Sequence, residues 1–221
     1  VSYEEMLEMA SLGAKVRQTR SVELAMAKRV PMRVLSSFIE PDAEGALPTG
    51  AGTLICDEEE IVEKRIVSGV TMSRDEARIT LLGLSDRTDA PADVFTRLAQ
   101  ANVNVDMIVQ SQARTEGAVN LTFTTGRRDA VRASDLMKAA QDEIGFQDIR
   151  LDADVAKVSV IGVGMRSHAG VAQTMFTALA DKGIKFQAIS TTEIKISVLI
   201  EDAYAELAVR ALHSAYGLDA L

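Results

Sequence analysis

Two stretches of the chain, Arg78 to Thr125 and Lys157 to Ile200, follow the same pattern of residue types. Each begins with an apolar run that ends in a glycine, Gly83 in the first copy and Gly162 in the second. Each then passes through a polar loop into a segment of helical periodicity and two further apolar runs. An internal repeat constrains the fold more than any single motif, because both copies must form the same small unit. Two copies are too few for a solenoid, so we expect two duplicated small domains that pair side by side.

The periodicity inside each copy assigns its strands and helices. From Ile194 to Ile200 isoleucine or valine occupies every second position, which is typical of a strand with one buried face. From Val171 to Leu179 apolar residues recur at helical spacing. The first copy continues past Asp129, a predicted N-cap, into a second helix that ends at Gly145, and Phe146 to Leu151 follows as a last strand. The order β-α-β-β-α-β predicts an α+β fold of tandem ferredoxin-like domains.

The second copy lacks a fourth strand of its own. Its second helix, predicted from Asp202 to Ala215, is followed only by the short polar run GLDAL. An apolar segment with no partner, Ile66 to Met72, precedes the first copy. We therefore expect this segment to complete the second sheet, with the first domain inserted into the second. The alternative is that the segment is an edge strand of the first domain.

Composition and charge exclude several classes of protein. The net charge is -8, with 32 acidic against 24 basic residues, and Arg127-Arg128 is the nearest approach to a basic cluster, so no nucleic-acid partner is expected. No apolar run is long enough to cross a membrane. The single cysteine, Cys56, excludes an intrachain disulfide and favours a cytoplasmic location. With two histidines far apart and no second cysteine, no metal site is predicted.

The first part of the chain follows a different pattern. Ser2 to Glu5 has the spacing of a capping box at the start of a helix. Ser21 is the predicted cap of a second helix, Met32 to Phe38 predicts a strand, and Ile39 to Gly52 predicts a loop rich in proline and glycine. These elements are too few for an independent domain, so we interpret them as the end of a larger one.

Five stretches, in order along the chain, resemble the C-terminal half of aspartate kinase: SYEEMLEMASLGAKV, RSVELAMAKRVPMRVLSSF, NVDMIVQ, GVGMRSHAGVA and ISTTEIKISVLI. The resemblance extends over essentially all 221 residues. It implies that the two repeats are ACT domains, which bind amino acids and act as allosteric sensors. The implied organisation is residues 1–56 as the end of the amino-acid kinase domain, 57–73 as a linker with the strand completing the second ACT domain, 74–152 as the first ACT domain and 153–221 as the second.

The resemblance also implies an activity for the intact enzyme, which transfers the γ-phosphate of ATP, with Mg²⁺, to the β-carboxylate of aspartate. This is the first step towards lysine, threonine and methionine. The phosphate loop and the aspartate-binding residues of the family would precede Val1, so this chain is expected to hold no catalytic residue, to bind no cofactor alone and to be inactive alone. Lys15 and Val16 match a motif that lies against the nucleotide, where Lys15 would neutralise phosphate charge. The alternative is a solvated helix charge at Lys15.

An amino-acid effector needs N–H groups near a helix start for its carboxylate, and oxygen atoms for its ammonium. In the first repeat these requirements, with the resemblance, select Asp86, Thr88, Asp89, Ala90 and Pro91 in the loop, and Asn104, Val105, Asp106 and Gln110 on the second strand. In the second repeat they select Met165, Ser167, His168, Gly170 and Val171 in the loop, and Lys185, Phe186, Thr192 and Glu193 beyond the helix. Taken singly, Asp89 is explained as a helix cap and His168 as part of a turn.

Three departures from the family pattern concern effector specificity. Asp89 stands where relatives have a glycine, which adds a negative charge beside a site for a carboxylate. Ala169 replaces a frequent proline, and Lys185-Phe186 replaces Asn-Ile. The first site is therefore expected to be weakened or retuned, and the amino acid that is sensed is left open between threonine and lysine.

The expected partners are threonine or lysine, a second copy of the chain in a homodimer or higher oligomer through the ACT domains, and the missing catalytic half or a catalytic subunit. Two alternatives to a piece of aspartate kinase are a stand-alone regulatory subunit without catalytic activity and an ACT-type amino-acid-binding protein unrelated to kinases. The motifs SLGAKV and RVLSSF, upstream of the repeats, argue against the latter.

Overall fold

The computed structural model describes residues 1–14, 17–39, 48, 50–61 and 66–219 of the chain. Its α-helices are α1 (Tyr3–Ser11), α2 (Thr19–Lys28), α3 (Ala90–Gln100), α4 (Arg127–Ala139), α5 (Gln141–Ile144), α6 (Val171–Asp181) and α7 (Ala205–Ala215). Its strands are β1 (Met32–Val34), β2 (Thr53–Ile55), β3 (Gly69–Ser85), β4 (Ile108–Gln112), β5 (Ala118–Thr125), β6 (Asp148–Ile161), β7 (Phe186–Thr191) and β8 (Lys195–Glu201). Short 3-10 turns lie at Glu58–Glu60, Val163–Ser167 and Asp202–Tyr204.

Two long strands, β3 with 17 residues and β6 with 14, form the centre of a six-stranded antiparallel sheet of order β4-β5-β3-β6-β8-β7. The register between them shifts on both sides of Glu76. Before the shift, Gly69–Ser73 pairs with Lys157–Ile161, and after it Arg78–Leu82 pairs with Asp148–Asp152. Bulges of this kind bend a strand, so each long strand supplies one half to each of two modules.

Each module has the strand order of a ferredoxin-like domain, which confirms the predicted fold class. The first module has the order β4-β5-β3-β6 and carries α3 and α4. In the second, β7, β8 and the end of β6 are followed by Gly69–Ser73. This segment overlaps the predicted Ile66 to Met72 and lies where a fourth strand is expected. The domain boundaries themselves stay predictions.

Each module encloses a separate apolar core between its sheet and its helices. In the first, Ile79, Leu81 and Phe123 of the sheet pack against Leu98 of α3 and Met137 of α4, and all are nearly inaccessible to solvent. The core of the second combines strands β6 and β8 with α6 and α7, and includes Val158, Val160, Met175, Leu179, Val198 and Leu212. Burial of an apolar side chain of this size stabilises a fold by about 1.5–3 kcal/mol. The spacing seen in the sequence therefore matches the buried faces.

The predicted capping box is present at the start of α1. The Ser2 hydroxyl accepts a hydrogen bond from the Glu5 N–H at 3.1 Å, and the Glu5 carboxylate accepts one from the Ser2 N–H at 2.9 Å. Gly145 ends the helical region after α5 with a φ of 82°, a left-handed conformation in which glycine carries no steric penalty.

Two other predicted caps are wrong, and one predicted strand is shorter than expected. Ser21 lies inside α2, which begins at Thr19, and its hydroxyl donates to the Gln18 carbonyl at 2.8 Å. Asp129 lies inside α4, which begins at Arg127. The predicted strand Met32 to Phe38 ends at Val34, because its partner β2 pairs only Thr53–Ile55.

The N-terminal segment forms a small cluster of its own beside the second module. Tyr3 and Met6 of α1, Val22 of α2 and Ile55 of β2 pack together. Glu8 of α1 pairs with Lys195 of β8 at 3.0 Å, which joins this cluster to the second module.

No helix among the described residues is long and apolar enough to cross a membrane. Over the same residues, no group of three or more His, Cys, Asp or Glu side chains has the arrangement of a metal site.

Candidate functional site

The loop of the first module, from Asp86 to Pro91, is held by its own hydrogen bonds and ion pairs. The Asp86 N–H donates to the Gly117 carbonyl at 3.0 Å, and the Ala90 N–H donates to the Arg87 carbonyl at 3.3 Å. Asp89 precedes α3 without a side-chain capping bond, Pro91 lies in the first turn of the helix, and Thr88 lies between them in an exposed position. Two of the backbone N–H groups that were expected to bind an effector carboxylate therefore already donate hydrogen bonds within the chain.

The charges of this loop belong to one small network. The Arg87 guanidinium lies 2.6 Å from Asp93 and 3.6 Å from Asp89. One cation is thus shared by two carboxylates, so the surroundings of the loop do not favour a further anion.

The strand residues predicted for the first site lie at different levels along the sheet. The Asp106 N–H donates to the Thr124 carbonyl, and Thr124 is paired with Arg78. The loop begins after Ser85, seven residues further along β3, which corresponds to about 20 Å at about 3.3 Å per residue. Asn104 and Val105 lie before Asp106, and Gln110 lies nearer to the loop, opposite Leu121. Within one chain, the structure does not bring Asn104, Val105 and Asp106 together with the loop.

Asp106 instead contacts an ammonium group of its own chain. Lys157 Nζ of β6 contacts Asp106 Oδ2 and lies 2.7 Å from Glu76 Oε1 of β3. The side chains of Lys157 and Glu76 are 6% and 7% exposed, whereas that of Asp106 is 51% exposed. Glu76 stands at the register shift between the two modules. The cluster therefore joins the segment that precedes β4 in the first module to the second module.

Burial and pairing act in opposite directions on these groups. Burial raises the pKa of Glu76 and the neighbouring Lys157 lowers it, and the pKa is raised overall. Burial acts to lower the pKa of Lys157, but its hydrogen bonds to Asp106 and Glu76 raise that pKa overall. The lysine is therefore held in its charged form by the two carboxylates.

An apolar contact beside this cluster completes the junction. Met107 and Val109, at the start of β4, pack against Val155, Ala188 and Leu199 of the second module. The side chains of Met107 and Leu199 are 5% and 0% exposed. The face of the second sheet that carries no helices is thus partly covered by the first module.

The loop of the second module is a 3-10 turn, Val163–Ser167, that ends in a bonded pair of side chains. His168 Nδ1 lies 2.8 Å from the Gly164 carbonyl oxygen and 3.2 Å from Ser167 Oγ. Ser167 Oγ also donates to the Gly164 carbonyl at 3.4 Å. The single carbonyl of Gly164 therefore fixes both predicted site residues.

Gly170 and Val171 form the start of α6. Gly170 has a φ of 101°, a conformation that strongly favours glycine, and Val171 opens the helix. The Tyr216 hydroxyl, from the end of α7, donates to the Val171 carbonyl at 2.7 Å. Burial raises the pKa of Tyr216 to about 12.

Only some of the remaining residues predicted for the second site lie near this loop. Arg166 Nε is 3.3 Å from Glu193 Oε2, and Thr192 is bonded to Lys195 across the same turn, by its N–H at 2.8 Å. Lys185 and Phe186 lie at the opposite end of β7, where the Phe186 ring packs against Phe176 at 5.1 Å. Met165, Ser167 and His168 lie in the loop and Gly170 and Val171 at the start of α6, and Glu193 is linked to this loop through Arg166. Lys185 and Phe186 lie apart from it.

Two concave surfaces adjoin the predicted residues. A cleft of about 880 Å³ between α6 and the end of α7 is lined by His168, Gly170, Val171, Thr174, Asp181 and Tyr216 among others. A shallower one of about 590 Å³ lies between α3 and the edge strand β4 and is lined by Phe95, Leu98, Val103, Asn104, Val105 and Ile108 among others. Most of the residues that line the second surface are apolar. Lys15 and Val16, predicted to bind nucleotide, lie outside the described residues.

Three charged residues of the site were not predicted from the sequence: Glu76, Lys157 and Arg166. Lys157 alternates with valines in a strand, a pattern that indicates a solvated face. It is buried because the other module covers that face, and the sequence carries no local signal of such covering. Arg166 could have been suspected, since it lies within the loop motif.

Comparison with known proteins identifies the modules. The ACT-domain family model matches residues 158–216, from the end of β6 to the end of α7. The aspartokinase of Pseudomonas aeruginosa is 50% identical over 222 aligned positions, which cover 100% of this chain and 52% of that protein. The chain thus spans about half the length of the curated relatives it matches.

Solved structures give the same assignment. One match is a chain in the crystal structure of aspartokinase alpha and beta subunits, which is 42% identical in sequence with a TM-score of 0.64. The match covers 68% of this chain and 98% of that chain. The ligand-free regulatory subunit of aspartate kinase from Thermus thermophilus is 38% identical with a TM-score of 0.64 and the same coverage. Identity at this level extends over nearly the whole of each matched chain. The chain belongs to the aspartokinase family.

Proposed function

We propose that the chain is the C-terminal regulatory portion of an aspartokinase, and that its paired ACT modules bind a feedback amino acid, threonine or lysine. The observation that carries the proposal is the match to a regulatory subunit, of which this chain covers 98% at 38% identity. The two modules that share β3 and β6 provide the matching architecture.

The intact enzyme would phosphorylate the β-carboxylate of aspartate with ATP and Mg²⁺. Of the residues assigned to this chemistry, Lys15 and Val16 alone fall in this chain, and their surroundings lie outside the described residues. A phosphoryl transferase acts mainly by positioning and charge stabilisation around its substrates. Since the relatives are about twice as long, the chain alone is expected to release no ADP from ATP in the presence of aspartate, and turnover by a pure sample would contradict this.

The effector site of the first module is completed by a second copy of the chain. Within one module, the Asp86 loop and Asp106 are separated along β3 by about 20 Å, as the strand register requires. When two modules pair about a two-fold axis through their β4 edges, the loop end of one lies beside the Asp106 end of the other. Such pairing brings the partly exposed Asp106 carboxylate of one chain beside the loop of the other, where the ammonium of an amino acid competes with Lys157 for it.

The second module presents a more compact set of candidates. Arg166, in the loop that carries Ser167 and His168, pairs with Glu193 of the β7–β8 turn, and Thr192 precedes Glu193 in that turn. Hydroxyl groups suit an amino-acid carboxylate and Glu193 suits an ammonium, whereas the Arg166 guanidinium is already shared by Glu58 and Glu193. This module is therefore the stronger candidate for binding within one chain.

A thermal melt and calorimetry with each amino acid test the proposal. Binding to the folded state alone raises its stability by roughly 2.7 kcal/mol at a hundred times the Kd, so the melting temperature should rise with threonine or lysine. Gln110→Ala should remove part of the rise due to the first module, and Thr192→Ala part of that due to the second. Neither variant should alter the unliganded melt much, since both side chains are exposed. No heat and no shift at millimolar threonine or lysine would overturn the sensing role.

A stand-alone regulatory subunit is the second candidate function. It is favoured by the match to the regulatory subunit, because that match covers 98% of the subunit. The same match covers only 68% of this chain. The remaining part holds the N-terminal segment, whose match to the longer aspartokinases favours the first candidate. Addition of a catalytic chain and measurement of its activity with and without this chain would discriminate the two.

A further inference from the structure

One buried carboxylate connects the N-terminal segment to the loop of the second module. Glu5 of α1 is only 1% exposed to solvent. Its Oε1 accepts hydrogen bonds from Ser68 Oγ at 2.6 Å and from the Val163 N–H at 2.9 Å, and its Oε2 accepts one from the Ser2 N–H. The same carboxylate thus caps its own helix and holds the first residue of the Val163–Ser167 turn.

The turn transmits this contact to the predicted site residues. The next carbonyl, that of Gly164, contacts both Ser167 and His168. Arg166 extends from the turn to Glu58 of the N-terminal segment at 3.2 Å and to Glu193 of the second module at 3.3 Å. His168 and Glu193 are therefore linked to Glu5 through the residues of this turn.

Close packing leaves the turn little freedom to move independently of its neighbours. A Cβ on Gly162, just before the turn, would lie 2.2 Å from the Ile66 carbonyl oxygen, so the two backbones are in contact there. A Cβ on Gly69 would lie 2.7 Å from the Met9 side chain of α1. A buried carboxylate with three donors is costly to separate from them, because it would remain unsolvated.

We propose that Glu5 is a positioning residue for the second effector site: it fixes the Val163–Ser167 turn, and thereby Ser167 and His168, to the N-terminal segment. An amino acid bound at this turn then affects the N-terminal segment through one carboxylate. The N-terminal segment affects the binding of the amino acid through the same group. The ligand in this proposal rests on the proposed function, whereas the placement of the turn does not.

His168 supplies the measurement for the placement of the turn. The chain has two histidines, so the imidazole NMR signals of His168 can be compared with those of His213, on α7, as an internal reference. Glu5→Ala removes all three accepted bonds and should shift the His168 signals. It should also raise the exchange rates of the Met165 to His168 amides by roughly tenfold, as local opening becomes easier. His213 should not change.

Two variants separate positioning from helix stability. Glu5→Gln retains one oxygen for Ser68 and Val163, so it should restore the His168 signals. Ser2→Ala removes a cap of α1 but leaves the carboxylate on the turn, so His168 should remain as in the wild type. Equal changes in Ser2→Ala and Glu5→Ala, or an unchanged His168 in Glu5→Ala, would overturn the proposal. If Glu5→Ala does not fold, Ser68→Ala should give a smaller shift of His168 in the same direction, and no shift would count against the proposal.

Titration with lysine and with threonine tests the link to binding. Glu5→Ala should weaken the affinity of the second module several-fold, while Glu5→Gln retains it. Unchanged affinity in a Glu5→Ala protein whose turn has loosened would overturn the role in binding. If the wild type binds neither amino acid, the proposed function fails, and the His168 measurement still decides whether Glu5 positions the turn.

Discussion

The residue that most clearly joins the two modules is Lys157, whose ammonium lies between the carboxylates of Glu76 and Asp106. Lys157→Met retains the length of the side chain but leaves Glu76 buried without its partner. Loss of one member of a buried pair costs about 3–5 kcal/mol, so the free energy of unfolding in urea should fall by that order. The exposed Asp106 should contribute little of this loss, because water can solvate it.

The double variant Glu76→Gln, Lys157→Met provides the control for this prediction. It removes both buried charges, so most of the lost stability should return. A double variant as unstable as Lys157→Met alone would show that packing of the lysine side chain, and not its charge, matters at this position.

Tyr216 gives a pH dependence whose sign follows from its environment. Burial raises the pKa of Tyr216 to about 12, so its neutral form is favoured in the folded state. The corresponding stability is fully present below the unfolded pKa of about 10 and is lost as the pH rises towards 12. In Tyr216→Phe the loss of stability over this pH range should be smaller. The part of the tyrosinate absorbance that appears at the highest pH should also be absent. A wild-type titration in which all tyrosines ionise together near pH 10 while the protein is folded would contradict this.

At the scale of the elements, the apolar periods in the sequence predicted most helices and strands, but helix starts depended on distant partners. Asp129 was expected to cap α4. The helix begins three residues earlier than such a cap predicts, because Asp75 Oδ1 of β3 accepts a hydrogen bond from the Arg127 N–H at 3.1 Å. Such a cap from another strand leaves no mark in the local sequence. The capping box at Ser2 is contained in four adjacent residues, and it was predicted correctly.

The candidate site was predictable to a similar extent. The loop residues Ser167 and His168 were predicted from a contiguous motif, and a hydrogen bond joins their side chains in the structure, while their role in binding stays a prediction. The partner of Asp106 was not found, because Lys157 follows it by 51 residues and its burial depends on how one module covers the other. Contacts between modules are set by tertiary packing, which single-strand periodicity does not encode.

The sharing of β3 and β6 predicts that the two modules unfold together. Met137 of α4 and Met175 of α6 belong to different cores, and both are fully buried. Met137→Ala and Met175→Ala should each lower stability by about 2–5 kcal/mol. Since the strands run through both modules, each variant should shift one common calorimetric transition. Separation into two transitions in either variant would show that the modules are independent.

At the scale of the whole molecule, electrostatic contacts add to this connection. Asp202 of the second module lies 3.1 Å from Arg74 Nε on β3 and 3.5 Å from Arg127 of α4. The sequence indicated two copies of one domain and a displaced strand, but the relative orientation of the copies depends on the bulges around Glu76 and on these contacts. Neither is visible in a repeat pattern.

In the part of the chain that the structure describes, the sheet ends in two edge strands with exposed apolar side chains, which predict self-association. Strand β4 presents Ile108, 54% exposed, beside the apolar groove on α3, and β7 presents Phe186, 46% exposed. Unpaired edge strands with apolar side chains are generally covered, and a symmetric pair of chains covers them most simply. Sedimentation at tens of micromolar, a concentration suited to an interface of about 1,600 Å², should therefore show a dimer or a higher oligomer.

Substitution of an edge residue tests where the chains meet. Ile108→Glu places a charge in the expected contact and should shift the protein towards the monomer without unfolding it, because the side chain is exposed in the single chain. Val131→Glu is the matched control: Val131 is 63% exposed on α4, away from both edges, and its substitution should leave the oligomer intact. A wild type that sediments strictly as a monomer would contradict the association itself. Dissociation by Val131→Glu with no effect of Ile108→Glu would retain the association and transfer the interface to the helical face.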